Sequence, residues 1–187
     1  MIQIETQPKP RNIFLCEDIS QESIKNITNQ ILEIIADDNL KESTLTTYTR
    51  MPIFLFINSY GGSVYDGLAL VDLIKSSPTP IATVAVGACM SMAAWIFLAG
   101  DKRFVGPNAT IMIHEISSVV IDKLQGIKME VKEIERLQKL ENAFIKENTN
   151  ITTEELKKHF DKKEDWYISA KEAKKLGLAD EIMVPIV

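Results

Sequence analysis

Residues 80–100, PIATVAVGACMSMAAWIFLAG, constrain the fold of this chain more than any other stretch. An apolar run rich in β-branched residues over 81–86 is halted by Gly87. Over 88–99 it gives way to alanine-, methionine- and leucine-rich sequence in which Ser91 is the only hydroxyl. This pattern predicts a buried strand that turns sharply into a buried helix, with Ser91 at the turn. A serine there faces the N–H groups of a first helical turn, which lack partners within the helix, and an acyl-transfer enzyme needs such groups to hold an oxyanion. On the residues alone a second reading stays open, in which Ser91 only caps or packs the helix.

The 187 residues suffice for one domain with a substantial core and not for two. Apolar residues at 45% and charged residues at 25% are globular values, which excludes a disordered chain. A net charge of -5 lacks the basic footprint that phosphate backbones require, so nucleic acid is not the expected partner. Cys16 and Cys89 lie in apolar surroundings without CxxC spacing, and both read as small buried hydrophobes in a reducing, cytoplasmic setting. The start of the chain, MIQIETQPKPRN, has no apolar signal core. Prolines and glycines interrupt the longest nearly uncharged window, 76–100, so neither a signal peptide nor a membrane span is expected.

Residues 1–12 read as a flexible N-terminal arm, and 13–187 as a single domain. A short strand is expected at 13–16. Ser20 then caps a helix over 21–36, with Ile24, Ile27, Ile31, Ile34 and Ile35 on one stripe. Residues 37–50 read as a long polar connection, 52–57 as a strand covered on both faces, and 64–75 as a helix. Two short strands at 103–105 and 110–113 precede a long amphipathic helix over 124–148, with Ile127, Val131, Ile134, Leu137 and Ala143/Phe144 on its apolar stripe. Thr152 with Glu155, and Ser169 with Glu172, mark capping boxes. A strand at 167–168 and a closing strand at 182–184 complete an α/β domain.

A serine nucleophile needs a base, and the base needs a partner to fix its tautomer. There are two histidines. His114 ends an apolar strand, where α/β sites gather, although a core histidine bonded to backbone would look the same. His159, in KKHFDKK, reads as a solvated surface residue. Among Asp161, Glu164 and Asp165, Asp165 directly precedes Trp166-Tyr167-Ile168 and is the one delivered to a sheet edge. Gly61-Gly62, after a buried strand, would let backbone N–H groups approach a substrate closely.

FINSYGGSVYDGLAL, VGACMSMAAWIFLAG, NATIMIHE and EDWYISAKEAKKLGLADEI, in this order, resemble the ClpP family, the proteolytic subunits of the Clp protease. The resemblance covers about two thirds of the chain. It implies the ClpP/crotonase-like α/β fold of stacked ββα units with a protruding handle, here about 117–148. It also implies a Ser-His-Asp triad of Ser91, His114 and Asp165, and an oxyanion hole from the backbone N–H groups of Gly62 and Met92. The activity implied is cytoplasmic serine endopeptidase cleavage of unfolded polypeptides, with no metal or organic cofactor. The chamber implied is two stacked heptameric rings fed by an AAA+ Clp unfoldase.

The chain departs from the family pattern at Tyr60, where the family has proline, at Glu115-Ile116 and the handle strand that follows, and in an insertion at 41–49. These departures point to a divergent member, phage-encoded or accessory. A catalytically silent ring component is the alternative function. A crotonase-type acyl-CoA enzyme would use a carboxylate in place of Ser91 with His114.

Overall fold

The computed structural model describes residues 10–185, so the arm expected over 1–12 lies outside the described residues apart from its last three positions. Strand β1 (Asn12–Leu15) already includes Asn12, which pairs with Phe54. Cys16, expected to be buried, follows β1 at an exposed position, while Cys89 is buried as expected.

Helix α1 (Gln21–Thr44) begins at a capping box in which Ser20 Oγ accepts the Ser23 N–H and Ser23 Oγ accepts the Ser20 N–H. Its isoleucines turn inward as their spacing predicts, each contributing about 1.5–3 kcal/mol when fully buried. The helix, however, does not stop at Ala36. It continues through what reads as a polar loop because Asp38 is buried there and satisfied. Arg11 donates two hydrogen bonds to its carboxylate at 2.9 and 2.8 Å, and the hydroxyls of Tyr48 and Thr79 donate at 2.5 and 2.7 Å. Those bonds tie the last turns of α1 and the segment after it to the chain before β1 and after residue 78.

Strand β2 (Ile53–Ser59), helix α2 (Val64–Ser76), strand β3 (Ile81–Met90) and helix α3 (Met92–Leu98) follow, then strands β4 (Lys102–Val105) and β5 (Thr110–Ile113). Helix α4 (Leu124–Asn148), helix α5 (Thr153–Phe160), strand β6 (Trp166–Ser169), helix α6 (Ala170–Lys175) and strand β7 (Glu181–Ile182) complete the described chain. The closing strand is shorter than expected. β1, β2, β3, β4 and β7 lie side by side in that order, all parallel, as strands joined by helical crossovers must. β6 runs antiparallel to β5.

β3 passes through Gly87 instead of ending there, and at that residue it changes partners. Ala82 to Ala85 pair with β4, whereas Ala88 to Met90 pair with β5. Gly87 supports the change with φ +63°, and a Cβ there would lie 2.6 Å from Asn58 Oδ1. That oxygen accepts the Ala88 N–H at 2.9 Å and so patches the interrupted ladder. The strand's second half carries α3 inward. Every residue of α3 is buried, as an element apolar all round must be.

The expected handle strand is not formed among the described residues. Residues 114–122 carry no ladder, and the Ile116 N–H goes to the side chain of Gln138. The handle helix α4 is amphipathic as expected, but its two halves differ. Leu137 and Ile145 are buried, whereas Leu124, Ile127, Met129 and Val131 are exposed.

Candidate active site

Ser91 sits between β3 and α3 with φ 54° and ψ −128°, outside the regions a residue with a Cβ prefers, a conformation costing about 1–3 kcal/mol. The turn is pinned on both sides. The Ser91 N–H donates to the Met112 carbonyl at 2.9 Å, and the Ser91 carbonyl accepts from Ala94 N–H at 2.9 Å. Its hydroxyl makes no cap bond to α3, so of the two readings open from sequence the capping one does not hold. Ser91 Oγ lies 2.9 Å from His114 Nε2.

This meeting follows from the partner change in β3. Because Met90 pairs with Met112, the residue after β3 and the residue after β5 emerge at the same edge. The antiparallel pairing of β5 with β6 then sets Ile113 opposite Trp166, which puts the next position along β5, His114, opposite the preceding one on β6, Asp165. Asp165 Oδ1 is 3.9 Å from His114 Nδ1, an ion-pair separation longer than a hydrogen bond, with the carboxylate half exposed.

Gly61 and Gly62 approach from the end of β2. A Cβ on Gly61 would stand 2.8 Å from Ser91 Cβ and 2.9 Å from the Met90 carbonyl, so only glycine lets this backbone lie against the serine. Gly62 bridges to Ile19 through its neighbours: the Gly61 carbonyl accepts the Ile19 N–H, and the Ser63 N–H donates to the Ile19 carbonyl, both at 2.8 Å. That bridge does not use the Gly62 N–H. Gly62, Met92, Ser91 and His114 line one cleft of about 70 Å³. The structure thus brings together all the residues anticipated for the site, with Asp165 the most loosely held.

Three features in and around the cleft were not anticipated. Glu141, on the buried face of α4, lines the cleft with Trp95 of α3. Its Oε1 accepts the Trp95 Nε1–H at 2.9 Å and its Oε2 accepts a Gln138 Nε2–H at 2.8 Å. Burial raises its pKa from 4.5 to about 7, against the lowering pull of those two hydrogen bonds and with help from the like charge of Glu115. Gln138 also accepts the Ile116 N–H at 2.8 Å, which ties the segment after His114 to α4. Finally, His159 is not free on the surface. Its ring stacks on Trp166 at 4.2 Å and 10°, beside Asp165. The signal for Glu141 was present in the sequence, since it falls four residues after Leu137 and four before Ile145, on the helix face that has to be buried.

Among the described residues no group of three or more His, Cys, Asp and Glu could hold a metal ion, and no helix is long and apolar enough to cross a membrane. A family model described as Clp protease matches residues 3–185. The ATP-dependent Clp protease proteolytic subunit 2 of Prochlorococcus marinus strain MIT 9312 is 34% identical over 176 residues, spanning 92% of this chain and 81% of the relative. Its counterpart in strain NATL2A is 33% identical over 176 residues, spanning 92% and 82%. Among solved structures, a ClpP1 mutant from Listeria monocytogenes superposes with a TM-score of 0.78 at 30% identity, covering 94% of this chain and 92% of that one.

Proposed function

This chain belongs to the Clp protease family and is a serine peptidase of that family, and from this premise we propose that it cleaves unfolded polypeptides through Ser91, His114 and Asp165. The observation that carries the proposal is the 2.9 Å separation of Ser91 Oγ and His114 Nε2 at a strained turn that leaves the hydroxyl free of any cap. His114 takes the hydroxyl proton as Ser91 Oγ bonds to the peptide carbonyl carbon. The Gly62 and Met92 N–H groups receive the oxyanion. When the C–N bond breaks, the proton passes from His114 to the leaving amine. Water, deprotonated by the same imidazole, then displaces Ser91 and releases the new carboxyl terminus. Asp165, 3.9 Å from Nδ1, orients the imidazole and stabilises the imidazolium through its charge.

The working particle in this reading is two stacked heptameric rings supplied by an AAA+ Clp unfoldase, as the family's assembly implies. Supporting it is the apolar surface left exposed at the handle, with Val119 and Ile121 91% and 96% accessible and Leu124 and Met129 beside them in sequence. A monomer would gain nothing from such a patch. Labelling with a fluorophosphonate, with particle mass measured on the same samples, tests both parts. Wild type should label on a particle of many subunits, and Ser91→Ala should not label at all. His114→Ala should label at least about a thousandfold more slowly. Equal labelling of wild type and His114→Ala would remove the histidine from the mechanism.

A further inference from the structure

Glu141 occupies a place that the packing of α4 assigns to an apolar side chain. Leu137 and Ile145, one turn to either side, are buried hydrophobes, and Glu141 between them is 3% exposed. Its two oxygens receive one hydrogen bond each, both from neutral donors, Trp95 Nε1–H and Gln138 Nε2–H. A carboxylate has about four acceptor positions, so acceptor capacity remains. Among the described residues no cation pairs with its charge. The cleft it shares with Ser91 is lined by no lysine or arginine, and its one basic group, His114, is bonded to Ser91. A buried carboxylate without a countercharge is expensive, whereas leucine at this position would pack at no such cost.

Resting on Ser91 as the nucleophile, we propose that Glu141 is a specificity-determining residue that receives a lysine or arginine side chain from the substrate residue whose carbonyl Ser91 attacks. Glu141 and Ser91 line the same cleft of about 70 Å³, and this shared lining is what assigns Glu141 to the side chain of the attacked residue. Such a side chain provides both things the carboxylate lacks, a positive charge and further N–H donors. An apolar side chain of similar length leaves the carboxylate buried without a countercharge, and sites built around a polar partner reject analogues that lack it. Burial, with the like charge of Glu115, is what raises the Glu141 pKa, and binding a basic side chain would draw the proton off.

The test uses the full-length assembled protein and three serine-directed probes: a fluorophosphonate without a peptide, and two matched peptidyl diphenyl phosphonates with lysine or leucine in the acyl-side position. In each phosphonate the Ser91 oxygen bonds to phosphorus and phenol leaves, so labelling is read by intact mass. The readout is the ratio of lysine to leucine labelling rates within one protein preparation, which a partly unfolded fraction does not alter. Wild type should favour lysine by about tenfold or more, Glu141→Gln should bring the ratio near one, and Glu141→Leu should invert it, since removing an ion pair from a buried site is worth at least a factor of ten. A wild-type ratio of one or less, on protein whose Ser91 accepts the fluorophosphonate, overturns the role of Glu141 and leaves the nucleophile standing. No labelling by any probe overturns the nucleophile itself.

Discussion

Asp38 and Glu141 are both carboxylates on the buried face of a long helix, 0% and 3% exposed, and the fold treats them in opposite ways. Asp38 is saturated. Arg11 grips it with two charged hydrogen bonds, and Tyr48 and Thr79 fill the remaining positions. Burial by itself would raise the Asp38 pKa, but these partners outweigh it and hold the carboxyl well below its ordinary range. Glu141 has two neutral donors and no cation, and burial carries its pKa up to about 7. The difference shows where a fold keeps electrostatic capacity in reserve. The far end of α1 uses a complete ion pair to fasten a loop, whereas the cleft beside Ser91 keeps an incomplete one.

The largest effect should come from undoing the complete pair. Arg11→Ala leaves Asp38 buried with only hydroxyl partners, and loss of one member of such a pair costs about 3–5 kcal/mol. Arg11 retains some solvent contact, which favours the lower end. Urea unfolding at neutral pH should show the loss in the midpoint. The lysine-to-leucine labelling ratio should not move, because nothing in the Asp38 network lines the cleft.

The next effect is a pH dependence of opposite sign for the two groups. Glu141 has a folded pKa of about 7 against 4.5 for the free side chain, so between these values the folded protein holds a proton that the unfolded chain has released. Stability from this group therefore falls as pH rises through that window, by about 3 kcal/mol at most. Asp38 has a depressed folded pKa; its contribution is fully present above the unfolded value of 3.8 and is lost as pH falls below it. Urea unfolding of wild type and Glu141→Gln from pH 4.5 to 7.5 should give curves that diverge toward high pH, the variant being the less pH-sensitive. Parallel curves would mean that Glu141 is not desolvated.

The contrast between these carboxylates also marks what the sequence could and could not reveal. Ser91, His114 and Asp165 could be picked out as candidates because each is an unusual residue beside an apolar run, the lone hydroxyl of its segment, one of two histidines, and the carboxylate touching a strand, but only the resemblance to the ClpP family joined them into a proposed triad. The strand and helix order was legible from periodicity. Asp38 was hidden because Asp37-Asp38-Asn39 has loop composition, and its partners Arg11, Tyr48 and Thr79 are far apart in the chain. Glu141 was hidden among the many Lys and Glu residues of α4, although its spacing from Leu137 and Ile145 gives away the buried face. Gly87 looked like the end of β3 because the rescue of the ladder by Asn58 is a tertiary contact.

The smallest effect tests whether saturation at Asp38 is redundant. Tyr48→Phe removes one hydroxyl from the carboxylate while the two bonds from Arg11 and the bond from Thr79 persist. A hydrogen bond to a charged group is worth about 1.5–3 kcal/mol when its loss leaves the acceptor unsatisfied. Here the acceptor keeps three donors, and Tyr48 itself is only half-buried, so the expected loss is about 1 kcal/mol in urea unfolding at neutral pH. The variant should also relax the Asp38 pKa upward, because the Tyr48 bond is among those lowering it; stability lost on acidification should still begin near the unfolded value of 3.8 but be smaller in total and level off at a higher pH than in wild type. A loss near that of Arg11→Ala would mean that the hydroxyl, and not the guanidinium, dominates the network. The comparison with Glu141 would then rest on hydrogen bonding and not on countercharge.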